Sequence, residues 1–399
     1  MQTARTEMEK EPTKILLVIP TLAFGGAERV LLTLIQAMDR STYEPVVAAL
    51  SNTGPYRRDI PGWVCVHDLG RRSRLSFPTL VLKVADLLET ERPDVAIGFT
   101  GLANFVLLLA HRIARTPTRV MVTEHINPTQ MYRSQEEPLG GLKRKLIRWL
   151  YPAADRIIAV SQGVMEDLVT NFAVPREKIA VIYDPVDLGR IRRLADEPVD
   201  HPWFSSVQPV ILSAGRMTPQ KDFPTLLRAF AVLRRDYPAR LVLLGDGPET
   251  ARLRGMARNL GVADHTAFMG YQPNPYKYMA KATVFALSSR FEGFGLVLVE
   301  AMASGVPVVS THCPSGPDEI LNRGSCGLLV PVGDHRRLAS AITRLLLRPD
   351  LRRWFAACGR TRANRFSADR IASQYQACIA DLTSQALPLR DAVPQLVEI

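Results

Sequence analysis

No stretch of this chain strings together the roughly eighteen uncharged apolar residues that a membrane-crossing helix needs. The longest candidate, around Phe105 to Leu109, is cut short by His111 and Arg112. The charged N-terminus, MQTARTEMEKEPTK, lacks the apolar core of a signal peptide and reads as a disordered leader over residues 1–13. The five cysteines (Cys65, Cys313, Cys326, Cys358, Cys378) are scattered and include no C-x-x-C pair. That excludes a zinc ribbon or dithiol motif and predicts reduced thiols. The histidines lack H-E-x-x-H spacing, so no structural metal is expected. No D-x-D pair occurs either, so the carboxylate clamp that holds a divalent cation on a diphosphate is missing. Aromatic residues make up only 7% and are not interleaved with basic ones, which argues against nucleic acid as a partner.

Positive charge is in excess. The formal net charge of +11 leaves an anionic membrane or phosphorylated small molecules as partners. One cluster, GGLKRKLIRWL, places Lys143, Arg144, Lys145, Arg148 and Trp149 among leucines and an isoleucine. On a helix this gives a basic face and an apolar face. It suits an interface with anionic lipid, or else a surface helix whose apolar stripe faces the core. Both readings stand.

At 399 residues the chain is long enough for two domains. KILLVIP (Lys14 to Pro20) has the continuous apolar character of a strand buried on both faces. A glycine turn and a helical stretch, Arg29 to Met38, follow. PVVAAL, DVAIGF, RVMVTE and RIIAVS repeat the pattern, which predicts a doubly wound α/β sheet. The alternation restarts at PVILSAGR and continues through RLVLLGDGPE, ATVFALSS, PVVST and GLLVPVGD. Two Rossmann-like domains are therefore expected, over residues 14–187 and 208–368, joined by a polar linker over 188–207. An amphipathic helix over 369–387 should pack back on the first domain, ahead of a loose tail over 388–399. Two such sheets imply a cleft, with ligands beyond the carboxyl ends of the strands.

Three glycine turns carry candidate chemistry. In RFEGFGLVLVEAMASGVPVVST, Gly293 and Gly295 let the backbone approach a ligand. The helix that follows offers free N–H groups and the positive end of its dipole. Glu292 stands at its mouth, and Glu300 lies about 12 Å further at 1.5 Å per helical residue. That is too far for a glycosidase acid–base pair, at about 5–9.5 Å, and close to the length of a sugar–diphosphate–ribose unit. In SAGRMTPQKDFPTLL, Arg216 and Lys221 put two cations at a helix mouth, suited to a leaving diphosphate. In GGAERV, the Gly25 and Gly26 amides suit a phosphate, without the spacing of a P-loop. His125 ends a strand and so faces the cleft, or else serves as a structural histidine.

The run E-G-F-G-x-x-x-x-E followed by A-M-A-S-G-V-P-V-V-S-T resembles the E-x7-E region of the family 4 retaining glycosyltransferases. The pattern G-R-x-x-x-x-K-x-x-x-x-L from Gly215 resembles the same family's diphosphate-binding element. The resemblance runs from about Lys14 to Leu387. It implies a GT-B fold, with an acceptor-binding first domain and a nucleotide-sugar-binding second one. It implies donor contacts from Gly25, Gly26, Gly215, Arg216, Lys221, Gly270, Glu292, Gly293, Phe294, Gly295, Leu296 and Glu300. Glu292 would face the sugar, Glu300 the ribose, and amides from Gly293 to Leu296 the diphosphate. Arg216, Lys221, Glu292 and His125 would form the catalytic set, with His125 touching donor sugar or acceptor. Retention without a protein nucleophile is implied, with no metal and no cofactor, since the nucleotide diphosphate sugar (expected to be UDP-linked) is a substrate. CPSGPDEIL (Cys313 to Leu321) is similar to a subgroup that handles N-acetylhexosamines and extends polyprenyl-diphosphate-linked saccharides. That implies a peripheral place on the cytoplasmic face of the inner membrane. A soluble acceptor, or a nucleotide-sugar-binding subunit without activity, is the alternative. Asp184 in YDPVD departs from the asparagine common in relatives; in a linker turn, the exchange is expected to matter little.

Overall fold

The computed structural model describes residues 11–385 apart from 24, 72, 134–136 and 138. Most of the expected leader and all of the expected tail lie outside the described residues. The first lobe alternates β1 (Thr13–Ile19), α1 (Gly26–Ala37), β2 (Tyr43–Ala49), β3 (Cys65–Asp68), α2 (Phe77–Glu91), β4 (Val95–Phe99), α3 (Thr100–Ile113), β5 (Arg119–Glu124), α4 (Pro128–Arg133), α5 (Gly140–Leu150), β6 (Arg156–Ala159), α6 (Gln162–Phe172) and β7 (Ile179–Val181). Helix α7 (Leu188–Ala195) leads into the second lobe. There β8 (Val210–Ala214), α8 (Phe223–Leu233), β9 (Arg240–Leu244), α9 (Thr250–Asn259), β10 (Thr266–Phe268), α10 (Tyr276–Lys281), β11 (Val284–Leu287), α11 (Leu296–Ala303), β12 (Val308–Thr311), α12 (Pro317–Ile320), β13 (Leu328–Val330), α13 (His335–Leu347) and α14 (Pro349–Ala363) follow, and α15 (Ala368–Ser384) comes last.

The first sheet has seven strands in the order β3-β2-β1-β4-β5-β6-β7, and the second has six in the order β10-β9-β8-β11-β12-β13. The strand pairings are parallel, as β1 with β4 and β8 with β11 illustrate. Parallel strands are covered by helices on both faces, and Ile15 to Ile19 and Val284 to Leu287 are accordingly buried. Strand order reverses between β1 and β4 and again between β8 and β11. A crevice opens at each reversal, beyond the strands' carboxyl ends. Those ends carry the glycine turns picked out in the sequence.

The chain crosses between lobes twice, and the crossings hold each other. Val186 N–H donates to Phe366 O at 2.8 Å, and Ala368 N–H donates to Val186 O at 2.9 Å. Beyond the second crossing α15 returns to the first lobe. Its Ile371, Tyr375 and Ile379 are buried in one cluster with Ile15, Leu17 and Leu31. The linker differs from its sequence reading, because residues 188–195 form a helix. Asp187 caps it by accepting from Arg190 N–H at 2.8 Å, and Ile191 and Ala195, on one face, are buried. Its polar letters concealed that stripe. The short strands β3, β7 and β10 were also not read from the sequence.

Candidate active site

At the second-lobe reversal two loops are stitched together. Arg290 N–H donates to Gln220 O at 2.8 Å, Gln220 Nε2 to Phe291 O at 3.0 Å, and Ser288 Oγ to Lys221 O at 2.9 Å. This brings Lys221 Nζ to Glu292 Oε1 at 2.7 Å, while Ser289 Oγ donates to the same oxygen at 2.6 Å. Glu292 is buried, and a charge-assisted pair in such a place holds both side chains in one geometry. Arg216 is exposed at the same turn. Helix α11 begins only at Leu296, with Gly295 before it at φ +99°. Glu292 therefore precedes the helix, and the helical rise used above applies only from Leu296 to Glu300. Phe294 is buried at this turn. Its ring stacks on Tyr183 at 5.3 Å and meets Phe366 edge-on at 5.2 Å, so the side chain anchors the turn to the crossing.

The first lobe closes on this turn. Ser161 Oγ donates to Gly293 O at 2.7 Å and Asn127 Nδ2 to Ser315 Oγ at 3.1 Å. Glu319 accepts from the N–H groups of Gln162 at 2.9 Å and Gly163 at 3.1 Å. A carboxylate is favourable there, at the positive end of α6. At the far end of α11, Glu300 is buried and accepts from Tyr276 Oη at 3.0 Å. It also pairs across the cleft with Arg29, whose guanidinium touches the Tyr56 hydroxyl at 3.3 Å. Burial alone would lower the Arg29 pKa, but Glu300 and the two tyrosines carry it well above the usual value. Sequence reasoning missed Arg29, although it follows the glycine turn in GGAERV. At that turn the Glu28 carboxyl lies against Gly25 and accepts from Thr21 Oγ at 3.0 Å. Gly270 is bridged to Gly245, whose N–H donates to Gly270 O at 2.7 Å.

His125 is held by partners within the first lobe and the crossing that follows it. It lies at the carboxyl end of β5 with its ring stacked on Phe99, centroids 5.8 Å apart. Nδ1 sits 3.0 Å from Asp184 Oδ1 and Nε2 sits 2.9 Å from Thr123 Oγ. Both ring nitrogens have hydrogen-bond partners inside the protein. Asp184, read as inconsequential, is buried against this ring. Nearby, burial pushes the Cys313 thiol up to about 12, which keeps it from acting as a nucleophile.

Burial also pushes Glu124, next to His125, up to about 7, against the opposing hydrogen bond from Tyr151 Oη at 2.6 Å. Its Oε1 is buried without a partner. An acid with a raised folded-state pKa is favoured protonated. Stability is therefore lost as pH rises from the ordinary 4.5 to about 7, by about 3 kcal/mol. Glu124→Gln removes that slope. Its stability relative to the parent should shift by about this amount in the variant's favour between pH 4.5 and 7.5. Denaturant unfolding across that range measures it, and a constant gap would contradict the assignment.

Helix α5 has one buried face and one exposed face. Ile147 and Leu150 face the core, while Leu142 and Trp149 are 51% and 57% exposed. Lys143 pairs with Glu137, Arg144 lies over the Phe172 ring, and Arg148 donates to Asn171 O at 2.9 Å. Lys145 and Trp149 are exposed, with Arg112 over the indole at 4.3 Å. The cysteine expectation is corrected as well. Cys326, in the turn between α12 and β13, meets Cys358 of α14, and they form a disulfide. Among the described residues no cluster of three His, Cys, Asp or Glu is arranged to hold a metal ion. No described helix is long and apolar enough to cross a membrane.

Two facing Rossmann-like lobes, with a lysine–glutamate pair at one switch point and a second buried glutamate one helix away, define a GT-B glycosyltransferase. Comparison with known proteins agrees: the chain belongs to the glycosyl transferases of group 1, family 4. The model described as "Glycosyl transferases group 1" matches residues 203–362, and that described as "Glycosyltransferase Family 4" matches residues 24–190. One relative is the N-acetylgalactosamine-N,N'-diacetylbacillosaminyl-diphospho-undecaprenol 4-alpha-N-acetylgalactosaminyltransferase of Campylobacter jejuni. It is 33% identical over 368 residues, covering 90% of this chain and 97% of that protein. A lipopolysaccharide core biosynthesis glycosyltransferase of Rhizobium meliloti, LpsE, is 30% identical over 89% of this chain and 96% of its own length. Among solved structures, Anabaena HepE in complex with UDP and glucose superposes with a TM-score of 0.78 at 23% identity, over 92% of this chain and 100% of that one.

Proposed function

We propose that this glycosyltransferase moves a sugar, an N-acetylhexosamine or hexose, from a UDP-sugar to a hydroxyl of a polyprenyl-diphosphate-linked saccharide, with retention of configuration. The observation that carries the donor half is the Lys221–Glu292 pair at 2.7 Å, at the β8/β11 reversal and under the turn that meets the first lobe. Lys221 with Arg216 supplies positive charge where a diphosphate leaves, and the start of α11 adds its dipole. Glu292 receives the sugar, and Glu300 receives the ribose hydroxyls. The acceptor hydroxyl attacks on the face the diphosphate leaves and gives its proton to a phosphate oxygen, so no protein nucleophile is used. Catalysis is positioning and electrostatics, without a metal or cofactor. The name of the Campylobacter relative, which specifies a diphospho-undecaprenol acceptor, supports the lipid half. The UDP in the Anabaena structure supports the donor.

The proposed place of action is the cytoplasmic face of the inner membrane, reached through Lys145 and Trp149 of α5. The Cys326–Cys358 disulfide is the feature that fits least well with a reducing compartment. Sedimentation with anionic vesicles checks this surface. The parent should pellet at low salt, and Lys145→Glu with Trp149→Ala should stay in solution, since each basic residue near the surface contributes about 1 kcal/mol. Equal pelleting of both proteins would remove α5 as the anchor.

The function itself is tested by transfer from a panel of UDP- and GDP-sugars to polyprenyl-diphosphate-linked saccharide in EDTA, with product anomers read by NMR. An α-linked lipid product from one α-linked UDP-sugar supports the proposal. A product on a soluble acceptor alone would overturn the lipid half, and donor binding without transfer would favour a non-catalytic subunit.

A further inference from the structure

We infer that Asp184 is a positioning residue that keeps His125 doubly protonated, so that a fixed positive charge stands where the two lobes meet. The inference follows from counting protons. Thr123 Oγ lies 2.9 Å from Gly98 O, and a carbonyl oxygen can only accept. The single hydroxyl proton of Thr123 is used there. The contact between Thr123 Oγ and His125 Nε2, also 2.9 Å, then has to be donated by the imidazole. On the other side of the ring, Nδ1 faces the Asp184 carboxylate at 3.0 Å, and a carboxylate likewise only accepts. Both ring nitrogens therefore carry protons. A neutral ring would leave one of these close pairs with two acceptors and no hydrogen between them, a buried repulsion with no compensation.

The surroundings agree with a cation. Burial by itself would lower the pKa of His125, but Asp184, then Glu124 from its own strand and Glu28 from α1, raise it above the ordinary value. Of these, Asp184 contributes most, and Glu124 adds charge only as it ionises, near pH 7; the Phe99 face stacks on the ring. Asp184 is itself placed by the fold. It lies two residues before Val186, whose N–H and C=O pair with the second crossing between lobes. The Asp184–His125 bond thus ties the hinge to the end of β5. On the other side of His125, its carbonyl is the atom that an added Cβ on Gly293 would strike. The imidazolium therefore sits behind the contact through which the first lobe meets the Glu292 turn. That its charge assists departure of a diphosphate rests on the reading given under Proposed function.

The charge and its use are separable by experiment. In donor-free parent enzyme, imidazole 15N NMR should show His125 with both nitrogens protonated from pH 6 through pH 8. In Asp184→Asn, which keeps the size and the acceptor but not the charge, His125 should titrate near or below the ordinary value of about 6.5. A parent His125 that is neutral at pH 7.5 overturns the inference, and this needs no variant to fold. The activity arm measures kcat/KM for transfer against pH. Asp184→Asn should match the parent near pH 6 and fall about 25-fold by pH 8, following the lost imidazolium fraction for a pKa near 6.5. Parent kcat/KM should vary little across the same span, and Asp184→Glu should restore its profile. An Asp184→Asn profile parallel to the parent's overturns the positioning role. If the parent transfers no sugar at all, the proposed reaction fails while the NMR result still decides the protonation.

Discussion

Lys221→Ala lowers sugar transfer by about a thousandfold, with the loss mainly in kcat. One preorganised donor at a developing negative charge is worth about 10²–10³ in rate, and Lys221 is also the cation that pairs with Glu292 at 2.7 Å. Removing it leaves the buried Glu292 carboxyl with Ser289 as its remaining side-chain donor. Breaking a buried pair from one side costs about 3–5 kcal/mol, so the melting temperature should fall as well. The two effects separate under steady-state kinetics well below the transition. Lys221→Arg restores the stability, but returns only part of kcat, because a guanidinium places its charge in a planar fork and not at a point. Transfer by Lys221→Ala within tenfold of the parent would show that the diphosphate lies elsewhere.

Gly293→Ala should be nearly as damaging, for a different reason. A Cβ there would overlap the His125 carbonyl oxygen and lie 2.7 Å from the Ile126 nitrogen. These are backbone atoms of the opposite lobe, which cannot move aside as a side chain tip does. The lobes would be held apart, breaking the bond from Ser161 Oγ to Gly293 O. The Lys221–Glu292 pair, contained within the second lobe, would survive. Transfer should fall at least a hundredfold, equivalent to about 2.7 kcal/mol of lost transition-state stabilisation, while donor affinity changes only a few-fold. Small-angle scattering should report a larger radius of gyration. A compact variant with near-normal turnover would show that lobe contact at Gly293 is not needed for transfer.

Much of the site was legible because it is local. Glycine turns at strand ends, a lysine five residues past one turn, and a glutamate beside another are short-range patterns. Such patterns put Lys221 and Glu292 on the candidate list. Edge elements were harder to read. Strand β3 is C-V-H-D, with its end residues exposed, and it lacks the apolar run that marked β1. Helix α7 hid behind arginines, because its buried stripe is only Ile191 and Ala195. The Phe294 ring packs on Tyr183 and Phe366 at the crossing, a contact that no spacing encodes.

The sequence by itself determined two parallel α/β sheets and the glycine turns at the ends of their central strands, since burial on both faces demands continuous apolar runs and the turns demand glycine. It also determined the chemical types available there. Pairing was decided by the tertiary structure. Arg29 meets Glu300 across 271 positions of chain, and His125 meets Asp184 across 59. Such contacts depend on how two lobes close and how two crossings hydrogen-bond to each other. Their physical cause is the requirement that each charge buried by that closure find an opposite charge or a hydrogen bond, and only the assembled fold brings those partners within reach.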